Sequence, residues 1–142
     1  MEQDSITEGA TDLRPAEAEQ TTIVGVAFVS VYVDDFQTAY RFYSELLGLE
    51  KMYDMGENAC FFKLGGDWGL YLEGGHPAQE LPLKSSRSTF TLSVPSAGAM
   101  YRKLRDAGVR MVQEKPTDMG QGDFWFQIYD PSGNILEVLG GN

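Results

Sequence analysis

Apolar positions along this chain recur first with a period of two and then with a helical period, and that order occurs twice. Residues 23–33 (IVGVAFVSVYV) are rich in valine and aromatics and read as a strand. Asp34 and Asp35 then offer a helix cap, and Phe36, Ala39, Tyr40, Tyr43, Leu46 and Leu47 fall on one helical stripe that Gly48 ends. Three short strands follow at residues 49–53, 59–64 and 69–73, the last two joined by a Gly65-Gly66-Asp67-Trp68 turn. After a polar connector at residues 76–87 the order returns. Residues 89–94 read as a strand, and Pro95-Ser96 opens a helix with Met100, Tyr101, Leu104 and Ala107 on its face. Gly108 ends that helix, and strands are expected at residues 109–112, 124–129 and 134–139, with Asp130-Pro131-Ser132-Gly133 as a tight turn.

Offsets test the repeat. Phe28 maps to Thr89 with a shift of 61, and Ala39-Tyr40-Arg41 meets Met100-Tyr101-Arg102 at the same shift. Gly48 meets Gly108 at 60, and Gly74-Gly75 meets Gly140-Gly141 at 66, which sets Tyr71 opposite Glu137. The drift falls in loops. The chain therefore reads as α+β, with a first βαβββ unit at residues 23–75 and a second at residues 88–142.

Composition narrows the partners. The chain has 142 residues, enough for one domain that buries about two-thirds of its unfolded surface. Residues 1–22 carry six acids and one base and almost no large apolar side chains, so they are expected to be a disordered acidic tail. The body carries half of the formal charge of −10 and shows no cluster of Lys and Arg, which argues against nucleic acid. No apolar run approaches the roughly 20 residues that span a bilayer, so no membrane partner is expected. One cysteine, Cys60, leaves no disulfide framework and no thiolate cluster, and it is expected to pack with Phe62 and Leu64. A cytoplasmic location is the default.

The phrase AYRFYSELLGLE after the first strand, the second copy, and DPSGNILEV at the end together resemble the vicinal oxygen chelate superfamily, the glyoxalase, bleomycin-resistance and extradiol dioxygenase group. The resemblance spans about residues 24–140. It implies that each unit curves into a half-barrel, that the pair forms a curved mixed sheet around a cavity with helices outside, and that the protein is a homodimer. Metalloenzymes of that group hold a divalent ion from the first and last strands of each unit, positions that fall here on Phe28, Tyr71, Thr89 and Glu137. Phe28 cannot ligate, Thr89 is a poor neutral donor, Tyr71 needs its phenol ionised, and only Glu137 is a natural ligand. One histidine, His76, excludes a two-His-one-carboxylate iron site. No metal and no cofactor are expected.

Strand alternation then assigns faces. With Phe28 toward the cavity, Ser30 and Tyr32 follow, as do Thr89, Thr91 and Ser93 in the second unit. The closing strands add Tyr71, Glu73, Ile135 and Glu137, and the middle strands add Phe61, Lys63, Trp125 and Gln127. Such a lining suits a small organic ligand, planar and aromatic or cationic. Glu137 is expected to have a raised pKa by desolvation. The segment Met119-Gly120-Gln121-Gly122 is expected to be a mobile loop and a cavity lid. Simpler readings stand beside these: Phe28, Tyr71 and Trp125 filling a collapsed core, and Glu137 paired with Lys63 or a hydroxyl.

A metal-free binding protein of the sequestering or resistance type is the first functional reading. A lyase, isomerase or epimerase is the second, with Glu137 as general base and the Tyr71 or Thr91 hydroxyl as donor, or with Glu137 and Glu73 sharing a metal at a subunit interface. An interaction module with a filled cavity and an active acidic tail is the third.

Overall fold

The structure, a computed structural model, describes residues 20–81 and 87–142. Residues 1–19 of the expected tail and residues 82–86 of the connector lie outside them.

The first unit is β1 (Val29–Tyr32), α1 (Phe36–Arg41) continued by a π-helical turn (Phe42–Leu46), β2 (Glu50–Asp54), β3 (Ala59–Lys63) and β4 (Gly69–Glu73). The second is β5 (Thr91–Ser96), α2 (Ala97–Asp106), β6 (Thr117–Gly120), β7 (Asp123–Tyr129) and β8 (Ile135–Gly141). Each unit forms one four-stranded mixed sheet, in the orders β1-β4-β3-β2 and β5-β8-β7-β6. The first and last strands of each unit run parallel, with Ser30 beside Tyr71 and Thr91 beside Glu137. The repeat register read from the offsets is therefore the register of the fold.

Local chemistry sets the element ends. Asp35 caps α1 by accepting from the Thr38 amide at 2.9 Å, and Ser96 caps α2 by accepting from the Ala99 amide at 3.0 Å. Gly48 and Gly108 follow the helical segments with φ of 71° and 86°, which suits residues without a Cβ. The repeated glycine pairs have a steric cause. A Cβ on Gly74 would lie 2.7 Å from the Cβ of Phe36, the first residue of α1, and one on Gly140 would lie 2.2 Å from the Val94 carbonyl oxygen and 3.1 Å from the amide nitrogen of Ala97, the first residue of α2. In both units the closing strand passes against the start of the helix, and only glycine fits there.

Helices and sheets share one core. Tyr40 stacks on Phe62 at 5.5 Å, Tyr101 meets Phe126 edge-on at 5.1 Å, and Val31, Cys60, Leu72, Leu104, Ile128 and Val138 are buried among them. Cys60 lies in this layer with Phe62 as expected, and burial pushes its thiol up to about 11. The units are joined by the Asp130–Asn134 turn. Tyr43 donates to the buried Asp130, the Asp34 amide and carboxylate both bond the Ser132 hydroxyl, and the Asn134 amide donates to the Tyr32 carbonyl.

Four sequence expectations change. The first strand begins at Val29 rather than residue 23, because its partner β4 starts only at Gly69 and offers residues 23–27 no ladder. Strand propensity without a partner leaves Ile23 and Val24 exposed. The expected strand at residues 109–112 is reduced to a single bridge, Met111 to Ile128. β5 runs on to Ser96 through Pro95, which the sheet accommodates as a register shift on an edge strand. The expected loop at residues 119–122 is instead the β6–β7 hairpin: Met119 and Gly120 are in β6, and Gln121 and Gly122 form its two-residue turn with φ of 55° and 86°. Two positive φ values match the twist of the flanking strands.

Candidate functional site

Alternation along β1, β3 and β4 sends Val31, Cys60, Phe62, Leu70 and Leu72 toward the helices. The opposite side chains form an aromatic wall. Phe61 is its centre, with ring centroids 5.1 Å from Phe28, 5.1 Å from Tyr71 and 5.3 Å from Tyr53. Tyr71 continues to Tyr32 at 6.4 Å, and Tyr32 to the His76 ring at 4.9 Å. Phe28, Tyr71 and Trp125 all lie outside the buried core cluster, and Phe28 is 45% exposed, so these rings do not fill a collapsed core.

A concave cup of about 470 Å³ opens at one end of this wall. Phe28, Tyr53, Phe61 and Trp68 supply its rings, and Lys63 and Asp67 its charges. Sequence reasoning named Phe28, Phe61 and Lys63 but missed Tyr53 and Trp68. The register of β2 shifts between Lys51 and Tyr53, so simple alternation cannot place Tyr53 opposite Phe61. Trp68 was assigned to turn chemistry.

At the other end Glu73 is held by two partners. The Tyr71 hydroxyl donates to Oε1, and Oε2 lies 2.6 Å from Nε2 of His76. The bond to Glu73 pushes the Tyr71 phenol up to about 12, while the bonds from Tyr71 and then His76 hold the Glu73 carboxyl below its ordinary value. His76 was set aside as a connector residue. The turn at Gly74-Gly75 returns it to the wall, fixed by its amide bond to the Val33 carbonyl at 3.0 Å. Ser30 sits half-buried beside Tyr71 in the ladder.

The second unit carries a polar cluster. Thr91 donates to Oε1 of Glu137 at 2.6 Å and Gln127 donates to Oε2 at 3.1 Å, with further bonds from Trp125 and Ser88. Gln127 is itself buried and locked by two bonds with Gln113. Thr89 turns its hydroxyl to the Ile135 carbonyl. Glu137 is thus paired with a hydroxyl rather than with Lys63. Desolvation is the largest single influence on Glu137 and raises its pKa, but the four hydrogen bonds together outweigh it and the net shift is downward. The expected raised pKa is corrected accordingly.

The direct contacts thus divide the expected residues by unit, with Phe28, Tyr32, Phe61, Tyr71 and Glu73 along the first sheet and Thr91, Gln127 and Glu137 in the second, while Ile135, expected to line the cavity, is buried. The four positions that the resemblance marks for a metal do not make a chelating set. Phe28 has no donor, the Tyr71 proton is held by Glu73, and Thr89 is turned to a carbonyl. Among the described residues no three His, Cys, Asp or Glu side chains are grouped to hold a metal ion. A second, apolar cleft of about 690 Å³ lies between the units, where Val29, Leu47 and Leu64 face Phe90, Leu92 and Val94. Leu92 and Val94 are half-buried there.

The crystal structure of UcmS2 is 26% identical, with a TM-score of 0.68 over 83% of this chain and 98% of that one. Lactoylglutathione lyase from Agrobacterium tumefaciens is 20% identical, with a TM-score of 0.62 over 84% and 95%. The fosfomycin resistance protein FosX from Listeria monocytogenes is 18% identical, with a TM-score of 0.68 over 85% and 96%. At those last two identities the likeness is one of fold alone. No curated protein matches the sequence. The profile of the Glyoxalase/Bleomycin resistance protein/Dioxygenase superfamily matches residues 25–138, and the chain belongs to that superfamily.

Proposed function

We propose that this protein binds a small planar organic molecule, aromatic or cationic, against the aromatic wall of its first sheet, as a sequestering or resistance protein does. The observation that carries this reading is the cup itself: Phe28, Tyr53, Phe61 and Trp68 present rings to solvent, with Lys63 and Asp67 at hand to orient a polar group. Rings left open on a sheet face cost the protein solvation and offer a ligand stacking area. The fold likeness to a lactoylglutathione lyase and to a fosfomycin resistance protein is compatible with either a reaction or a resistance role, so the residues must decide. They favour binding. Glu137, the residue a base-catalysed reaction needs, accepts from Thr91 and Gln127 and has a lowered pKa, which makes it a weak base at neutral pH.

Isothermal titration with 2-naphthalenemethanol tests the reading. The native chain should bind it, and Phe61→Ala should weaken binding about tenfold, or roughly 1.4 kcal/mol. Equal heats for the two chains would refute the cup as the site.

A homodimer belongs to the same proposal. It is supported by the apolar cleft beside the edge strands β1 and β5 and by the exposed Ile23, Val24 and Val26 that lead into it. Together they offer the apolar area an association needs. No helix among the described residues is long and apolar enough to cross a membrane.

A further inference from the structure

Charge is distributed along the aromatic wall with a direction. In the β3–β4 ladder Lys63 stands beside Gly69, Phe61 beside Tyr71, and Ala59 beside Glu73. The two rings therefore occupy the middle, with an ammonium two residues to one side and a carboxylate two residues to the other, each about 6–7 Å along the strand. The cup of the proposed ligand site takes in the Lys63 end and not the Glu73 end.

The Glu73 end is built for a charge opposite to its own. Its carboxylate is 35% exposed, so a ligand can reach it. Its two bonds, one accepted from the Tyr71 hydroxyl and one shared with Nε2 of His76, hold it in place, and each oxygen keeps a free lone pair. The Tyr32 and Tyr71 rings stand 6.4 Å apart at 73° beside it. A cation placed there meets a carboxylate flanked by two aromatic rings, which shield the ion pair from water on one side. An anion would be repelled by Glu73 and by a chain of formal charge −10.

We infer that Tyr32, Tyr71 and Glu73 form a subsite for a protonated amine, and that the ligand is an aromatic amine whose planar body lies in the cup and whose ammonium arm reaches Glu73. The inference rests on the cup reading above and adds the ligand's charge and the group that recognises it. His76 is then the ligand's competitor for Glu73.

Titration with 2-naphthylmethylamine and its neutral analogue 2-naphthalenemethanol separates the two layers. The native chain should bind the amine about tenfold more tightly than the alcohol. Glu73→Gln should abolish that preference, the amine and the alcohol then binding within about twofold of each other, and His76→Ala, which frees Oε2, should increase amine affinity. Equal affinity for amine and alcohol in the native chain, or a preference that survives Glu73→Gln, overturns the amine subsite but leaves the cup standing. Failure of both probes to bind overturns the cup and the subsite with it.

Discussion

The Tyr43 hydroxyl donates a 2.8 Å hydrogen bond to Oδ2 of Asp130, linking the π-helical turn of the first unit to the last turn of the second. Both partners are buried, and Oδ1 of the same carboxylate accepts from the Ser132 and Asn134 amides. Burial raises both pKa values, more than the surrounding hydrogen bonds lower that of Asp130. Tyr43→Phe removes one donor from a buried carboxylate and should cost about 1–3 kcal/mol by urea denaturation. A loss within the noise of the fit would show that the turn, not this bond, joins the units.

Glycine positions separate steric need from habit. Gly140→Ala drives a Cβ to 2.2 Å from a carbonyl oxygen and should destabilise by about 3 kcal/mol or more, since backbone has to move. Gly65→Ala meets nothing within 4 Å and should stay within about 0.5 kcal/mol of the native chain. Thermal unfolding of the pair checks the contrast.

The β6–β7 turn holds a non-glycine residue, Gln121, at φ 55°. Gln121→Gly relieves a left-handed conformation that costs a side-chain residue about 1–2 kcal/mol, less the entropy glycine adds to the unfolded chain. A small rise in Tm is expected, and a fall would mean that the Gln121 side chain contributes more than its strain.

Glu137 gives the pH dependence a sign. Its folded pKa lies below the ordinary 4.5, so its contribution to stability is complete above that value and is lost as pH falls through the folded pKa. Glu137→Gln should therefore be most destabilising at neutral pH, with the gap to the native chain closing below about pH 4.5. Asp130 runs the other way, because burial raises its pKa and the folded state gains as that carboxyl takes up a proton. A gap that widens in acid would contradict the hydrogen-bonded, ionised Glu137.

How far the sequence reached is clearest at particular residues. The equivalence of the two units, Ser30 beside Tyr71 in one and Thr91 beside Glu137 in the other, follows the offsets of 61 and 66, which were legible because repeat spacing is local. The DPSGN phrase was legible as a turn, yet its bonds to Tyr43, Asp34 and Tyr32 cross about a hundred residues and leave no local trace. Tyr53 was hidden by a bulge, and His76 by a turn whose return path depends on Gly74 fitting against Phe36. The sign of the Glu137 shift was missed for a related reason. Burial is readable from alternation, but the donors that overturn it come from β5, β7 and the residue at 88.

The most direct test of the ligand site uses the two tryptophans, one in each unit. Trp68 lines the cup, and Trp125 lies in the Glu137 cluster. In ¹H–¹⁵N spectra titrated with 2-naphthalenemethanol, the Trp68 indole resonance should shift to saturation while the Trp125 resonance stays in place. A saturating shift at Trp125 alone, or no shift at either indole, would contradict a ligand site on the aromatic wall of the first sheet.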